Sequence, residues 1–87
     1  MLVRLPTPLR SYSQGKGTVE ADGATLSDLL QDLENRYPGI RFRIIDEQDQ
    51  IREHINIFVN HQVAPNLAVP LSPGDTVQII AAISGGR

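Results

Sequence analysis

Apolar and polar residues alternate at the start of the chain, which predicts a β-strand there. Met1, Val3 and Leu5 share one parity, the period-two pattern of a strand with one buried face. After a segment rich in turn-forming residues, residues 18–21 (TVEA) suit a second, short strand. The first 21 residues are therefore predicted to form a hairpin.

The clearest predicted element is a helix in the first half of the chain. Its apolar side chains recur at helical spacing at Leu26, Leu29, Leu30, Leu33 and Tyr37, while polar residues fall largely on the opposite side. Thr25 is placed to cap the helix, and Asp28 suits its positive N-terminus. Residues 38–39 (Pro-Gly) end it. The leucine stripe is predicted to be core.

The second half of the chain predicts three further strands. The strongest alternation places Ile55, Ile57 and Val59 on one face. Residues 60–61 suit a tight turn into a strand at 62–64. Residues 72–75 (SPGD) predict a turn before a last strand at 76–81, because Pro fixes φ and Gly permits a positive φ. Residues 40–53 mix apolar and polar positions and are assigned to no element.

This order of elements predicts an α+β fold: a roll in which one main helix packs on a mixed sheet of four to five strands. With 87 residues the chain forms one domain. A domain of this size buries only about 60–70% of the surface that its unfolded chain exposes, so a large active-site cavity would compete with the core.

Composition excludes several classes of function. The chain has no cysteine, which excludes disulfides, thiolate metal sites and a cysteine nucleophile. A net charge of -2 argues against nucleic acid as the main partner. No apolar run approaches the about 18 residues that span a bilayer, and nothing resembles a signal peptide. We therefore expect no membrane association, and a cytoplasmic protein.

Residues for catalysis are sparse. Neither His54 nor His61 forms a helical pair with an acid that would suit zinc. Residues 15–17 (GKG) are too short for a phosphate loop, and a strand rather than a helix follows them. The acidic run at 46–49 suits a solvated loop. No serine nucleophile elbow is present. Taken together, these patterns predict that the protein has no metal site and is not an enzyme that acts alone.

Phe58 lies on the opposite parity from its apolar neighbours in the predicted strand at 55–59. If those neighbours are core, Phe58 faces outward, where an aromatic side chain could join a partner-binding patch. Two other interpretations stay open: single exposed apolar residues are common, and the parity could be reversed.

The chain ends in an apolar residue, Ile83, then Ser84, Gly85, Gly86 and Arg87. Glycine has no Cβ, so an extended Gly-Gly backbone can pass through a channel too narrow for other residues. The alternative is an ordinary permissive chain end. The significance of the two glycines depends on the domain that precedes them.

The whole pattern resembles the β-grasp fold of ubiquitin, and more specifically the MoaD/ThiS family of ubiquitin-like sulfur carriers. The resemblance rests on residues 25–39, 57–60, 71–77 and 83–86, in that order. Each segment is weak alone, and together they are specific. Residues 5–10 and the long segment before Asn56 resemble the cysteine-biosynthesis carriers somewhat more than the molybdopterin synthase small subunits.

The resemblance implies a protein co-substrate, with residues 1–83 as the β-grasp domain and residues 84–87 as a flexible tail. In the family, a ubiquitin-activating-type enzyme adenylates the terminal glycine with ATP, and sulfur then displaces AMP to give a thiocarboxylate. Gly86 would carry the adenylate and the sulfur, with Gly85 and Ser84 recognised in the tail. Phe58 and Ile83 would belong to the partner surface. The carrier itself would bind no cofactor, and a sulfur-accepting synthase would be its second partner.

Arg87 departs from the family pattern because it leaves Gly86 without a free carboxylate. Some family members carry extra residues that a JAMM-type metalloprotease removes, and the same processing here would cleave between Gly86 and Arg87. The alternative is that Arg87 is a remnant of recombinant expression. For the function of the whole protein, two alternatives to a cysteine-biosynthesis carrier stay open. One is a molybdopterin synthase small subunit. The other is a ubiquitin-like modifier or binding module, whose tail could form isopeptide bonds to lysines.

Overall fold

The structure is a computed structural model that describes residues 1–82; Ile83 and the predicted tail at 84–87 lie outside the described residues. The described elements, in chain order, are β1 (Leu2–Arg4), a 3₁₀ helix (Thr7–Ser13), β2 (Thr18–Glu20), α1 (Leu26–Arg36), α2 (Arg41–Ile44), β3 (Ile55–Val59), β4 (Gln62–Val63) and β5 (Thr76–Ala81).

The five strands form one mixed sheet in the order β2-β1-β5-β3-β4. Strands β1 and β5 are parallel, whereas every other neighbouring pair is antiparallel. The predicted α+β roll with a mixed sheet of four to five strands is thus confirmed. Because β1 and β5 run in the same direction, their C-terminal ends point the same way, and β5 extends three residues past the partner of Arg4 to Ala81.

Helix α1 forms where the leucine pattern predicts it. The Thr25 hydroxyl accepts a hydrogen bond from the Asp28 N–H at 3.2 Å, which caps an otherwise unpaired donor of the first turn. The helix ends at Arg36, and Gly39 follows with a φ of 97°, a conformation that favours glycine. The four leucines of the stripe within the helix are fully buried.

The core lies between α1 and one face of the sheet. The sheet contributes buried side chains from four of its strands: Val3, Val19, Ile55, Ile57, Val77 and Ile79. Tyr37 and Val59 are only partly buried and pack at the edge of this core. The predicted inward parity of β1 and β3 is therefore correct.

The 3₁₀ helix between β1 and β2 was not predicted from the sequence. Pro8 lies in its first turn, where a missing N–H costs nothing. Leu9 and Ser13 are buried beneath it, and the Ser13 hydroxyl donates to the Lys16 carbonyl oxygen at 2.6 Å. The prolines and turn-forming residues of this segment predict a loop, whereas the segment forms a short helix that packs on the core.

Helix α2 occupies part of the segment that sequence patterns left unassigned. The Glu34 carboxylate of α1 accepts hydrogen bonds from the N–H groups of Gly39 and Arg41, at 2.8 and 2.9 Å. These contacts hold the start of α2 against the end of α1. Buried Ile44 and Ile45 complete its packing.

The two predicted turns, at residues 60–61 and 72–75, lie next to each other at the end of the sheet where β5 begins. Asn60 and His61 have positive φ values of 50° and 75°, as a tight turn between antiparallel strands requires. The Asn60 amide donates to the Asp75 carboxylate at 2.8 Å. Asp75 also accepts from the Ser72 N–H at 2.8 Å. The two turns therefore brace each other.

Within residues 1–82, no helix is both long enough and apolar enough to cross a membrane.

Candidate functional site

The sheet surface opposite α1, hereafter the open face, carries a row of side chains that crosses all five strands. By strand register the row consists of Thr18, Arg4, Gln78, Phe58 and Val63. All five are exposed or half-buried. Neighbouring rows add Leu2 and Ile80, which are 44% and 38% exposed. The open face is thus a mixed surface with apolar side chains at several positions.

Phe58 lies on the open face in β3, next to the edge strand β4. It pairs with Gln78 on β5 and with Val63 on β4, and Val63 is 56% exposed. Phe58 also borders a shallow depression that it shares with Arg4 and His61. The outward parity of Phe58 is as predicted from the alternation of its neighbours. Its role in binding a partner stays a prediction.

The chain leaves the sheet beside the first residues of β3. The Ala82 N–H donates to the His54 carbonyl oxygen at 2.8 Å, so the last described residue is held against that strand. We call this region the tail exit. A protein that binds the residues following Ala82 in the sequence would approach the domain from this side.

Two grooves flank the tail exit. The first, of about 510 Å³, lies between β5 and the segment from Arg4 to the 3₁₀ helix, and we call it the arginine groove. It is lined by Arg4, Leu5, Pro6, Thr7, Pro8, Arg10, Gly17, Thr18, Gln78, Ile79, Ile80 and Ala81. The second, of about 440 Å³, is lined by residues that include Tyr12, Arg43, His54 and Ala82. There the Arg43 Nε donates to the Tyr12 hydroxyl at 2.7 Å.

Two carboxylates in turns have lowered pKa values. The Ser72 N–H, followed by the Asn60 amide, lowers the pKa of Asp75. Backbone N–H groups of Gln50 and Gln48 lower the pKa of Asp46 in its loop. Both carboxylates accept their hydrogen bonds within turns, which stabilises the charged form.

The two histidines lie in different parts of the fold. His54 lies beside the tail exit and His61 lies in the turn after β3, at the opposite end of that strand. Among residues 1–82, no group of three or more His, Cys, Asp or Glu residues could hold a metal ion.

The residues predicted to carry the chemistry lie outside the described residues. These are Ile83, Ser84, Gly85, Gly86 and Arg87, and their roles stay predictions. What sequence reasoning missed is the pair Arg4 and Arg10, which line the groove that runs along β5 to Ala81. Arg4 could have been placed on the open face from its parity against Val3 and Leu5. Arg10 had no such signal, because its position depends on the unpredicted 3₁₀ helix.

Comparison with known proteins agrees with this geometry. The sequence profile of the ThiS family matches residues 3–86. The sulfur carrier protein CysO of Mycobacterium tuberculosis is 37% identical over 89 residues, a match that covers 97% of this chain and 96% of that protein. A chain in the crystal structure of the Amycolatopsis orientalis BexX/CysO complex superposes with a TM-score of 0.90 and 35% identity, and the match covers 98% of each chain.

A second group of relatives consists of small archaeal modifier proteins. Small archaeal modifier protein 3 of Haloferax volcanii is 34% identical over 68 residues, a match that covers 75% of this chain and 73% of that protein. The relatives are thus carrier and modifier proteins with a shared fold, and not enzymes.

Proposed function

The chain belongs to the ThiS family, and on that premise we propose that it is a sulfur carrier of the CysO type that works through a C-terminal thiocarboxylate. The observation that carries the proposal is the extent of the family match, which ends on Gly86 and leaves only Arg87 beyond it. The full-length similarity to CysO supports a role in cysteine or related sulfur-metabolite biosynthesis. It also favours this type of carrier over a molybdopterin synthase small subunit.

The chemistry requires a free carboxylate on Gly86. That carboxylate attacks the α-phosphate of ATP and releases pyrophosphate, which forms an acyl adenylate. A sulfide nucleophile then attacks the carbonyl carbon and displaces AMP, so the product is a thiocarboxylate. Adenylation is needed because a carboxylate oxygen is a poor leaving group, whereas AMP is a good one. The activating enzyme binds the ATP, and the carrier supplies the tail that is adenylated. Both proteins would act in the cytoplasm.

On this proposal, the domain and the tail have separate roles. The domain of residues 1–83 supplies recognition, and Phe58 on the open face, with Ile83, contacts the activating enzyme. Ser84 and Gly85 are recognised as the tail enters the active site, where glycines leave room for a narrow channel. The sulfur-accepting synthase then receives the same tail.

On this proposal, Arg87 has to be removed before Gly86 can be activated. A JAMM-type metalloprotease would hydrolyse the amide between Gly86 and Arg87 and release free arginine. The remaining chain then ends on the same residue as the family match.

Mass spectrometry tests the proposal directly. The chain ending at Gly86 is incubated with ATP, a sulfide donor and the ubiquitin-activating-type enzyme of the same organism. We expect a mass gain equal to the replacement of one oxygen by sulfur, and no gain when ATP is omitted. A chain that stays unmodified under conditions that convert a known sulfur carrier would contradict the proposal.

A second candidate function is protein modification, favoured by the similarity to small archaeal modifier protein 3. The same activated Gly86 would then form isopeptide bonds with lysine amines. Expression of an affinity-tagged chain in its own organism distinguishes the two functions. A modifier produces a ladder of conjugates that depends on Gly86, whereas a dedicated sulfur carrier produces the thiocarboxylate alone.

A further inference from the structure

The arginine groove is lined by two arginines and runs along β5 from Gln78 to Ala81, beside the tail exit. Arg4 ends β1, and its neighbour across the sheet is Gln78 of β5. Arg10 comes from the 3₁₀ helix and lines the same groove. The opposite wall is formed by Ile80 and Ala81, the last residues before the chain leaves the sheet.

The Arg10 side chain is positioned by the backbone around it. Its Nε donates to the Leu5 carbonyl oxygen at 3.2 Å. On its other side lies Gly17, where an added Cβ would stand only 3.0 Å from the Arg10 Cζ. With Nε engaged, the terminal guanidinium nitrogens remain available as donors. An ordered guanidinium of this kind is suited to a carboxylate, which it can bind through two parallel hydrogen bonds.

Neither arginine has an acidic partner within the part of the chain that the structure describes. The ion pairs there involve the amino group of Met1, Arg36 and Arg41. All other residues that line the arginine groove are neutral. Glu20, the acid of neighbouring strand β2, pairs in register with Leu2 at the far end of β1. Two cations thus face one groove in a chain whose net charge is -2.

The position of the groove identifies what approaches it. The four residues from 83 to 86 span at most about 14 Å when fully extended. An enzyme that holds Gly86 in its active site must therefore bring the rim of that site against the tail exit. Arg4 also borders the depression beside Phe58, so the groove is continuous with the surface proposed to contact the activating enzyme.

We propose that the arginine groove receives an acidic segment of the adenylating enzyme, whose carboxylates pair with Arg4 and Arg10 and orient the tail towards the active site. This inference rests on the proposed function and adds the chemistry of the partner to it. Charge pairs at such a rim act chiefly on the rate of association and on the choice of partner. They are weakened by salt, because mobile ions screen exposed charges.

The test compares two double variants of the chain ending at Gly86. Arg4→Gln with Arg10→Gln removes the groove charges, and Arg36→Gln with Arg52→Gln removes the same charge from residues that do not line the groove. Binding to the adenylating enzyme of the same organism is measured by calorimetry at low and high salt. We expect the groove variant to bind about tenfold more weakly at low salt and to lose most of its salt dependence. The control variant should stay within about twofold of the unsubstituted chain.

Three further measurements make the outcome decisive. Thermal unfolding of both variants measures what the lost Arg10–Leu5 hydrogen bond and the lost Arg36 ion pairs cost in stability, and binding is compared at a temperature at which every variant is folded. Arg4→Lys with Arg10→Lys should recover part of the affinity and the salt dependence. Equal affinities for the groove and control variants would overturn the inference while leaving the carrier function intact. Failure of the unsubstituted chain to bind or to be adenylated would instead reject the proposed function. Saturable binding of inorganic phosphate that requires Arg4 and Arg10, with enzyme affinity unchanged, would assign the groove to a small anion and overturn the inference.

Discussion

At the residue scale, Phe58 and its neighbour Ile57 lie on opposite faces of strand β3. Ile57 is 1% exposed in the core, whereas Phe58 lies half-buried on the open face. Phe58→Ser should weaken binding to the activating enzyme by more than about 1 kcal/mol, the range typical of an interface aromatic. Folding stability should change little.

The matched control for this substitution is Ile57→Ala. It should destabilise the fold by about 2–5 kcal/mol because it leaves a cavity in the core. Binding titrations and thermal melts on both variants separate the two roles. A large loss of thermal stability in Phe58→Ser with unchanged partner affinity would place Phe58 in the core.

A second residue-scale prediction concerns Asp75, which accepts hydrogen bonds from the Ser72 N–H and the Asn60 amide. These bonds lower its pKa from the ordinary value of 3.8. A lowered pKa in the folded state means that the carboxylate contributes stability above the unfolded value. That contribution is lost as the pH falls through the folded value.

Asp75→Asn should therefore be less stable than the unsubstituted chain at pH 7. The difference should persist until the pH falls below 3.8 and then disappear. Denaturant midpoints measured from neutral to strongly acidic pH check this. A difference that stays constant over the whole range would show that the charge of Asp75 is not its source.

At the element scale, the turn between β3 and β4 places a histidine where the backbone conformation favours glycine. His61 has a φ of 75°, a conformation that is costly for side chains with a Cβ and is free of that cost for glycine. His61→Gly should stabilise the protein by about 0.5–1 kcal/mol because it removes this strain. His61→Ala keeps the Cβ and should bring no gain.

Chemical denaturation of the two His61 variants measures the difference. An equal effect of Gly and Ala would mean that the imidazole, and not the backbone conformation, determines stability at this position.

The elements differ in how far the sequence predicts them. Helix α1 and the strand β3 follow from local periodicity, because each buries one face against a single core. The 3₁₀ helix and α2 do not show such periodicity, since each is short and held by contacts from elsewhere. The Glu34 carboxylate, for example, accepts from the N–H groups of Gly39 and Arg41. Such contacts between neighbouring elements have no pattern in the sequence.

At the scale of the whole molecule, the remaining prediction concerns the state of its C-terminus. In the encoded chain the Gly86 carbonyl is in an amide bond to Arg87, and an amide oxygen is a far poorer nucleophile towards ATP than a carboxylate. The carboxylate of Arg87 itself is displaced by one residue and lies beside a long side chain. We therefore expect little ATP–pyrophosphate exchange with the full-length chain and its activating enzyme.

Deletion of Arg87 should restore the exchange, and addition of alanine after Gly86 should abolish it again. The metalloprotease should release free arginine from the full-length chain, which amino-acid analysis detects. If the full-length and trimmed chains are activated at the same rate, Arg87 does not control maturation.

The sequence by itself determined the features that depend on local spacing. Strand parity placed Phe58 outward, the leucine stripe defined α1, and the order of elements with Gly85 and Gly86 at the end indicated the family. Only the tertiary structure decided which distant segments are neighbours. The parallel pairing of β1 with β5 sets Arg4 beside Gln78, and the 3₁₀ helix adds Arg10 to the same groove. Such pairings arise because remote segments share one buried core, and that sharing depends on all of them at once.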